Sequence, residues 1–278
     1  MKISELKNKV AVITGAAGGM GQELAKLLDE NGLLLALTDI NENGLNRISE
    51  MISQKPLTIP CDITQLDQVK NFINKVVSKF GTINFLINTA GIIIPGAFED
   101  LSYEAIEKQI TINLLGTINI TKETIPIMKK AESGHIITIS SLAGIVPETY
   151  SSIYTATKFA LRGLDFALHF ELKKHNIFVS TIFPDSVDTP MLEYEARHDG
   201  SPLTFLHDPV QPEAVAKAIL KTMLNKKVEV CIPSLEGKLS KFIMCLPSQV
   251  QRLWPKYEKK GEKKKEAFIE QIKERNQS

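Results

Sequence analysis

The chain has 278 residues, 43% of them hydrophobic and 23% charged, with 33 basic against 32 acidic side chains. A net charge of +1 excludes a chain-wide attraction to nucleic acid or anionic lipid, though not a local patch; no nucleic-acid partner is expected, and the rest of the profile fits one globular domain. Cys61, Cys231 and Cys245 form no close pair, which argues against a disulfide framework and a cysteine zinc site; a cytoplasmic location and no metal are expected. The opening MKISELKNKV reads as free of a leader, and no apolar run of about 18 residues offers a membrane span.

Short β-branched runs alternate with longer amphipathic stretches. VAVIT, Val10 to Thr14, reads as a buried strand, and Met20, Leu24, Leu27 and Leu28 then share one face at helical spacing. Leu33 to Thr38 reads as a strand, Glu42 to Ser53 as a helix, Leu57 to Pro60 as a short strand and Leu66 to Phe80 as a helix. Ile83 to Asn88 and His135 to Ser140 are strand-like, separated by one long helix or two abutting ones across Ser102 to Lys130. A helix over Ser151 to Lys174 precedes a strand over Phe178 to Phe183, and a helix starting at Pro212 leads to a last strand over Val228 to Ile232. This alternation predicts an α/β fold, a doubly wound parallel sheet of about seven strands with helices on both faces. No linker divides it, so residues 1–255 are expected to form one domain, followed by a charged C-terminal tail over 256–278.

The first strand runs directly into TGAAGGMG, Thr14 to Gly21. Glycines permit so tight a turn and let a pyrophosphate approach, and the helix N-terminus behind them offers free N–H groups. An ordinary strand-to-helix turn would look similar, but a position after the first strand of a doubly wound pattern favours the dinucleotide reading. Asp39, at the end of the second strand, can accept hydrogen bonds from adenine-ribose hydroxyls and would repel a 2′-phosphate. The alternative is a cap for the helix beginning near Glu42. With no Arg or Lys in the glycine turn or directly after Asp39, NAD(H) is expected over NADP(H).

Tyr154 and Lys158 lie at i, i+4 on a predicted helix, hence on one face, after a strand whose end carries Ser140 and Ser141. Chance alone often produces such a pair, but open parallel sheets bind ligands at the carboxyl ends of their strands. Together TGAAGGMG, Asp39, Asp62, NTAG at 88–91, Asn113, Ser141 and YTATK at 154–158 resemble the short-chain dehydrogenase/reductase family over roughly Lys7 to Ile232. The resemblance implies Tyr154 as general acid/base, with Lys158 beside it to favour the ionised phenol and to bind the nicotinamide ribose. It implies Ser141 as the group that orients the substrate oxygen and Asn113 as the holder of a relay water. For the cofactor it implies Gly15, Gly19, Met20, Gly21, Asp39, Asp62, Ile63, Asn88, Ala90, Gly91, Pro184, Val187 and Thr189, together with Tyr154 and Lys158. Taken singly, Ser141 could end a strand, Asn113 could bond backbone within a helix, and Asp62 could cap the helix near Gln65.

Two departures from the family pattern stand out. Thr89 replaces a usual asparagine, and Asp185 follows Pro184 where glycine is usual, which removes backbone freedom and adds charge near the nicotinamide pocket. The family places substrate specificity in the segment here spanning 185–211, with Met191, Leu192, Tyr194, Leu203, Phe205 and Leu206. Ile92, Ile93, Ile94, Pro95, Phe98, Leu142, Ile145 and Val146 add to this apolar set, which favours a lipophilic alcohol/carbonyl substrate unless the residues pack on the domain instead. A homo-oligomer, dimer or tetramer, is expected from the family.

Beyond Pro233, Leu235, Leu239, Phe242, Ile243, Leu246, Val250, Leu253 and Trp254 recur at helical spacing with expected breaks at Pro247 and Pro255. Residues 235–278 can be read as a pocket flap, a weak membrane-surface contact, a subunit contact or a hairpin packed on its own core. The sequence thus predicts an NAD-dependent oxidoreductase acting on CH–OH groups; the alternative is a non-catalytic nucleotide-binding or sensing protein on the same scaffold.

Overall fold

The fold is seen in a computed structural model that describes residues 2–275. Its seven parallel strands are β1 (Val10–Thr14), β2 (Leu34–Thr38), β3 (Leu57–Thr58), β4 (Phe85–Asn88), β5 (Gly134–Ile139), β6 (Ile177–Pro184) and β7 (Glu229–Ile232), in the order β3-β2-β1-β4-β5-β6-β7. Strands β1, β4 and β5 are buried throughout, as a sheet covered on both faces requires. Helices α1 (Gly19–Glu30), α2 (Glu42–Met51) and α8 (Pro212–Asn225) cover one face through Leu24, Leu28, Leu45, Ile48, Val215 and Ile219. On the other, α3 (Leu66–Phe80), α5 (Thr117–Lys130) and α6 (Ser152–Leu172) contribute Phe72, Ile73, Val76, Ile120, Met128 and Leu172. The order reverses between β1 and β4, and the carboxyl ends there open the crevice expected of a doubly wound sheet.

The expected helix or helix pair across 102–130 is a single run with a defect. Helix α4 (Tyr103–Ile110) passes through a π-helical turn, Thr111–Gly116, into α5 without leaving the helical path. Short α7 (Pro190–Arg197) follows β6, and α9 (Ser234–Ile243) and α10 (Pro247–Arg275) close the described chain. Pro247 does break the helix, but Pro255 lies inside α10. A proline there costs about 3 kcal/mol, and the packing of α10 on the 192–205 segment offsets that cost. Leu192, Ala196 and Phe205 meet Phe268, Ile269 and Ile272, and Gly261 rests directly on the Pro202 backbone. Residues 276–278 of the expected tail lie outside the described residues.

Candidate active site

The β1–α1 turn is shaped by lack of space. Gly15 has φ +63°, and a Cβ there would come within 2.7 Å of the Ala90 backbone. At Gly21 a Cβ would collide with the Gly15 carbonyl and Ala16, while at Gly19 it would press on Thr189 Cγ2 at 3.0 Å. The α1 N-terminus behind the turn has no side chain capping it, so its N–H groups remain available to an anion.

Asp39 ends β2 beside this turn, its Oδ2 accepting from Ala17 N at 3.0 Å and its Oδ1 from Asn41 N at 2.9 Å. Asn41, not Asp39, caps α2, accepting from Gly44 N at 3.0 Å. Asp62 is likewise no helix cap: its Oδ1 accepts from Thr64 N and Oγ1, and Gln65 holds the N-cap position of α3. Gly15, Gly19, Met20, Gly21, Asp39, Asp62, Ile63, Ala90, Gly91 and Thr189 all line one cavity of about 1110 Å³. Asn88 does not: it is buried behind the wall, where it donates to Thr121 Oγ1 at 3.2 Å and its Oδ1 lacks a hydrogen-bond partner among the described residues.

Tyr154 and Lys158 stand one turn apart on α6, with the ammonium 5.4 Å from the phenol ring centre. Lys158 Nζ donates to Ile139 O at 2.9 Å, and burial lowers its pKa to about 8 against the opposing pull of Asp165. Burial, then Glu148 and Glu195, push the Tyr154 phenol above its ordinary range, while a hydrogen bond with Ser141 pulls it down. Ser141 Oγ also accepts from Ala143 N at 3.0 Å, turning the chain out of β5. Asn113 sits buried in the π turn, its Oδ1 accepting from Ile92 N at 2.8 Å and its Nδ2 donating to Ile92 O and Thr157 Oγ1. The Asn113 carbonyl accepts from Thr117 Oγ1. A Cβ on Gly91 would lie 3.3 Å from Asn113 Oδ1 and 3.6 Å from Lys158 Nζ, so β4, the π turn and α6 converge behind the cavity wall.

A smaller cavity of about 70 Å³ adjoins the large one, sharing Met20, Thr189 and Met191 with it. Ser141, Tyr154, Pro184 and Val187 line it, as do Glu148, Asp185 and Glu195. Asp185 accepts from Ser186 N at 2.9 Å and pairs with His207 Nδ1 at 3.0 Å. Its φ is not in the left-handed region, so the place where the family has glycine is filled here without backbone strain. Glu195 accepts from Thr204 Oγ1 at 2.7 Å, and burial raises its pKa to about 7 although Thr204 and Lys265 oppose it. Glu148 is pushed well above the carboxylate range by burial and by Glu195 and Asp185. The expected apolar set divides: Met191 and Leu192 reach this cavity and Ile92 the larger one, while Leu142, Ile145 and Phe205 pack into core clusters.

Sequence reasoning missed several residues. Asp165 is buried two turns beyond Lys158 and accepts from Thr138 Oγ1 at 3.1 Å and Thr181 Oγ1 at 2.9 Å, pinning α6 to β5 and β6. Burial raises its pKa to about 7, against both hydrogen bonds and Lys158. An acidic residue at i+7 from Lys158, on the inward face, was the available signal. Arg47 of α2 lines the large cavity, as Asp39 does. Lys265 of α10 is buried and donates to Gly200 O at 2.9 Å; nothing in its Lys/Glu-rich surroundings marked it.

The model of the short chain dehydrogenase family matches residues 9–200. An uncharacterized oxidoreductase of Staphylococcus epidermidis is 33% identical over 191 residues, covering 69% of this chain and 83% of that protein. An uncharacterized oxidoreductase of Staphylococcus aureus is 31% identical over 223 residues, 80% of this chain and 94% of that protein. Among solved structures, levodione reductase matches with a TM-score of 0.77 at 23% identity, over 84% of this chain and 99% of that one. The 3-ketoacyl-(acyl-carrier-protein) reductase of Brucella melitensis complexed with NADH matches at 0.73 and 23%, over 82% and 97%. A variant of actinorhodin polyketide ketoreductase with NADPH matches at 0.75 and 24%, over 84% and 97%. Below 25% identity these neighbours speak for the fold alone, but the family match spans most of the chain: this protein belongs to the short-chain dehydrogenases, a family of oxidoreductases.

Proposed function

We propose that the protein moves a hydride between a nicotinamide cofactor, NAD(H) in preference, and an alcohol/ketone substrate. One observation carries this reading: Ser141 and Tyr154 line a small cavity that opens on the large one at Met20, Thr189 and Met191, with Lys158 beside the phenol. The glycine cradle fits a pyrophosphate, because Gly15 and Gly21 leave no room for a Cβ and the α1 N-terminus is uncapped. Gly15, Gly19, Met20 and Gly21 would hold the phosphates, and Asp39, Asp62 and Ile63 the adenosine end. Ala90, Gly91, Pro184, Val187 and Thr189 would hold the nicotinamide end. Asn88 acts from behind, through β4. Bound there, the cofactor supplies or accepts the hydride.

The chain's own residues handle the proton. Ser141 and Tyr154 hydrogen-bond the substrate oxygen, and Tyr154, kept protonated by its buried surroundings, donates to it in the reducing direction. Lys158 holds a positive charge beside the phenol, and Asn113 fixes the π turn behind both. The substrate wall is apolar on Met20, Val187, Met191 and Leu192 and acidic on Glu148, Asp185 and Glu195, which suits a lipophilic body carrying one hydrogen-bond-donating group. The free Cys61, Cys231 and Cys245 suit a reducing cytoplasm. Phe159, Phe166 and Phe170, exposed along α6, support a homo-oligomer.

The test is a panel of hydroxysteroids, acyl thioesters, retinoids and short alcohols monitored by NADH absorbance, with Tyr154→Phe as control. Tight cofactor binding without turnover of any member would favour the binding-only alternative. A second cofactor reading rests on Arg47, which lines the same large cavity as Asp39 and whose guanidinium could pair a 2′-phosphate. NADPH affinity equal to or above that for NADH, lost in Arg47→Ala, would establish it against Asp39.

A further inference from the structure

Helix α9 is amphipathic with its apolar face turned away from the protein. Gly237 is buried against the side chain of Cys231, so close that a Cβ could not be placed there. Lys241, next on that side, is paired with Glu229, which Arg162 of α6 also holds at 2.7 Å. At about 100° per residue, Leu235, Leu239 and Phe242 fall within about 60° of one another, roughly opposite Gly237. They are 64%, 59% and 67% exposed, and Leu246, in the turn that follows on the same line, is 40% exposed. A helix that only covered its own domain would present these side chains inward and its lysines outward. Here the glycine faces in and the leucines face out.

Charge identifies the occupant. Residues 234–264 hold eight basic against three acidic side chains, while the remainder of the chain holds 25 against 29. Lys238 flanks the apolar strip and is exposed, as are Arg252, Lys256, Lys259 and Lys260 on the first half of α10. A symmetric contact with a second copy through this strip would bring like charges together. An anionic lipid surface receives both the apolar strip and the basic flanks. Among the described residues no helix is long and apolar enough to cross a membrane, and α9 has ten residues.

We propose that α9 docks the protein on anionic bilayers, with Leu235, Leu239, Phe242 and Leu246 in the headgroup boundary and the flanking basic residues against the lipid charge. None of the four strip residues lines either cavity.

The full chain is mixed with vesicles of phosphatidylcholine containing 30% phosphatidylglycerol, then with phosphatidylcholine alone. Expected are co-sedimentation with the anionic vesicles and at least tenfold weaker binding to the neutral ones. Leu239→Asp/Phe242→Asp and, separately, Lys238→Glu/Arg252→Glu should each weaken binding tenfold or more, while thermal melting and cofactor binding stay as in the parent. A chain that stays in the supernatant with anionic vesicles overturns the proposal, as does equal sedimentation of both double variants. Light scattering covers the other occupant: a dimer that Leu239→Asp/Phe242→Asp makes monomeric, with no vesicle binding by the parent, assigns the strip to a second copy.

Discussion

Along Gly15–Gly21 the chain presents backbone to its cavity, and two positions there leave no room for any side chain. Along Pro184–Thr204 the wall is made of side chains, several held from far away in sequence: His207 on Asp185, Thr204 and Lys265 on Glu195, Ile272 against Leu192 and Phe205. The first wall depends on a few residues in one short turn, and its shape is fixed by sterics. The second depends on α10 being in place, a helix that starts fifty residues downstream of the end of α7. A turn made of backbone tolerates almost no change and binds one kind of partner; a wall made of side chains on a separate helix can be altered without touching the cradle.

If that contrast holds, variants should separate cofactor affinity from substrate handling. The largest expected effect is Tyr154→Phe, a loss of about 10²–10⁴-fold in turnover, with the cofactor dissociation constant, read by NADH fluorescence, unchanged. Substantial residual turnover would remove Tyr154 from its role. Next is Ile272→Ala on α10, at a fully packed contact with the 192–205 segment. It should cost about 2–5 kcal/mol in denaturant unfolding and raise KM, again sparing cofactor affinity. Lys265→Met keeps the stem but removes the bond to Gly200 O and the positive charge beside Glu195, an expected loss of about 1–3 kcal/mol. If either α10 variant weakened NADH binding as much as substrate binding, the two walls would be one unit and the contrast would fail.

The smallest effect is one of pH. Burial depresses Lys158 to about 8, so the free protein loses that positive charge as pH rises through 8. kcat/KM, which reports the free enzyme, should fall about tenfold per unit above that point, and a plateau to pH 10 would refute it. Stability should move the other way. An unfolded Lys158 stays protonated up to about 10.5, so the unfolded chain binds more protons between 8 and 10.5 and this group's contribution to stability rises with pH over that window.

The same contrast explains what could be read from the sequence. The strands of the doubly wound sheet show as short β-branched runs, with β1 at Val10–Thr14 and α3 at Leu66–Phe80 placed to the residue, because burial on both faces forces uniform apolarity and helices force a 3.6 period. Gly15, Tyr154 and Lys158 are visible because each depends on neighbours within a turn or so. Glu148, Glu195 and Lys265 are not, since their meaning comes from a fold that brings residues 148, 195 and 265 together, and a buried lysine in a Lys/Glu-rich helix looks like its solvent-facing neighbours. Asp39 and Asp62 were each open to reading as helix caps, and only the positions of Asn41 and Gln65 decide against it.

The π turn at Thr111–Gly116 is a matter of phase. A π turn carries one residue more than the α-helix it interrupts, so the helix after it is rotated by about 100° relative to an unbroken continuation. That rotation lets α4 direct Gln109 toward Ile94 and α5 direct Ile120 and Met128 into the core beneath β4, although the two stretches are out of register by one position. The turn also places Asn113 where it can span Ile92 with both ends of its amide. Removing one residue from this turn would restore ideal helix geometry and misalign either the core or the active-site wall; the irregular turn is what allows one helix to serve both.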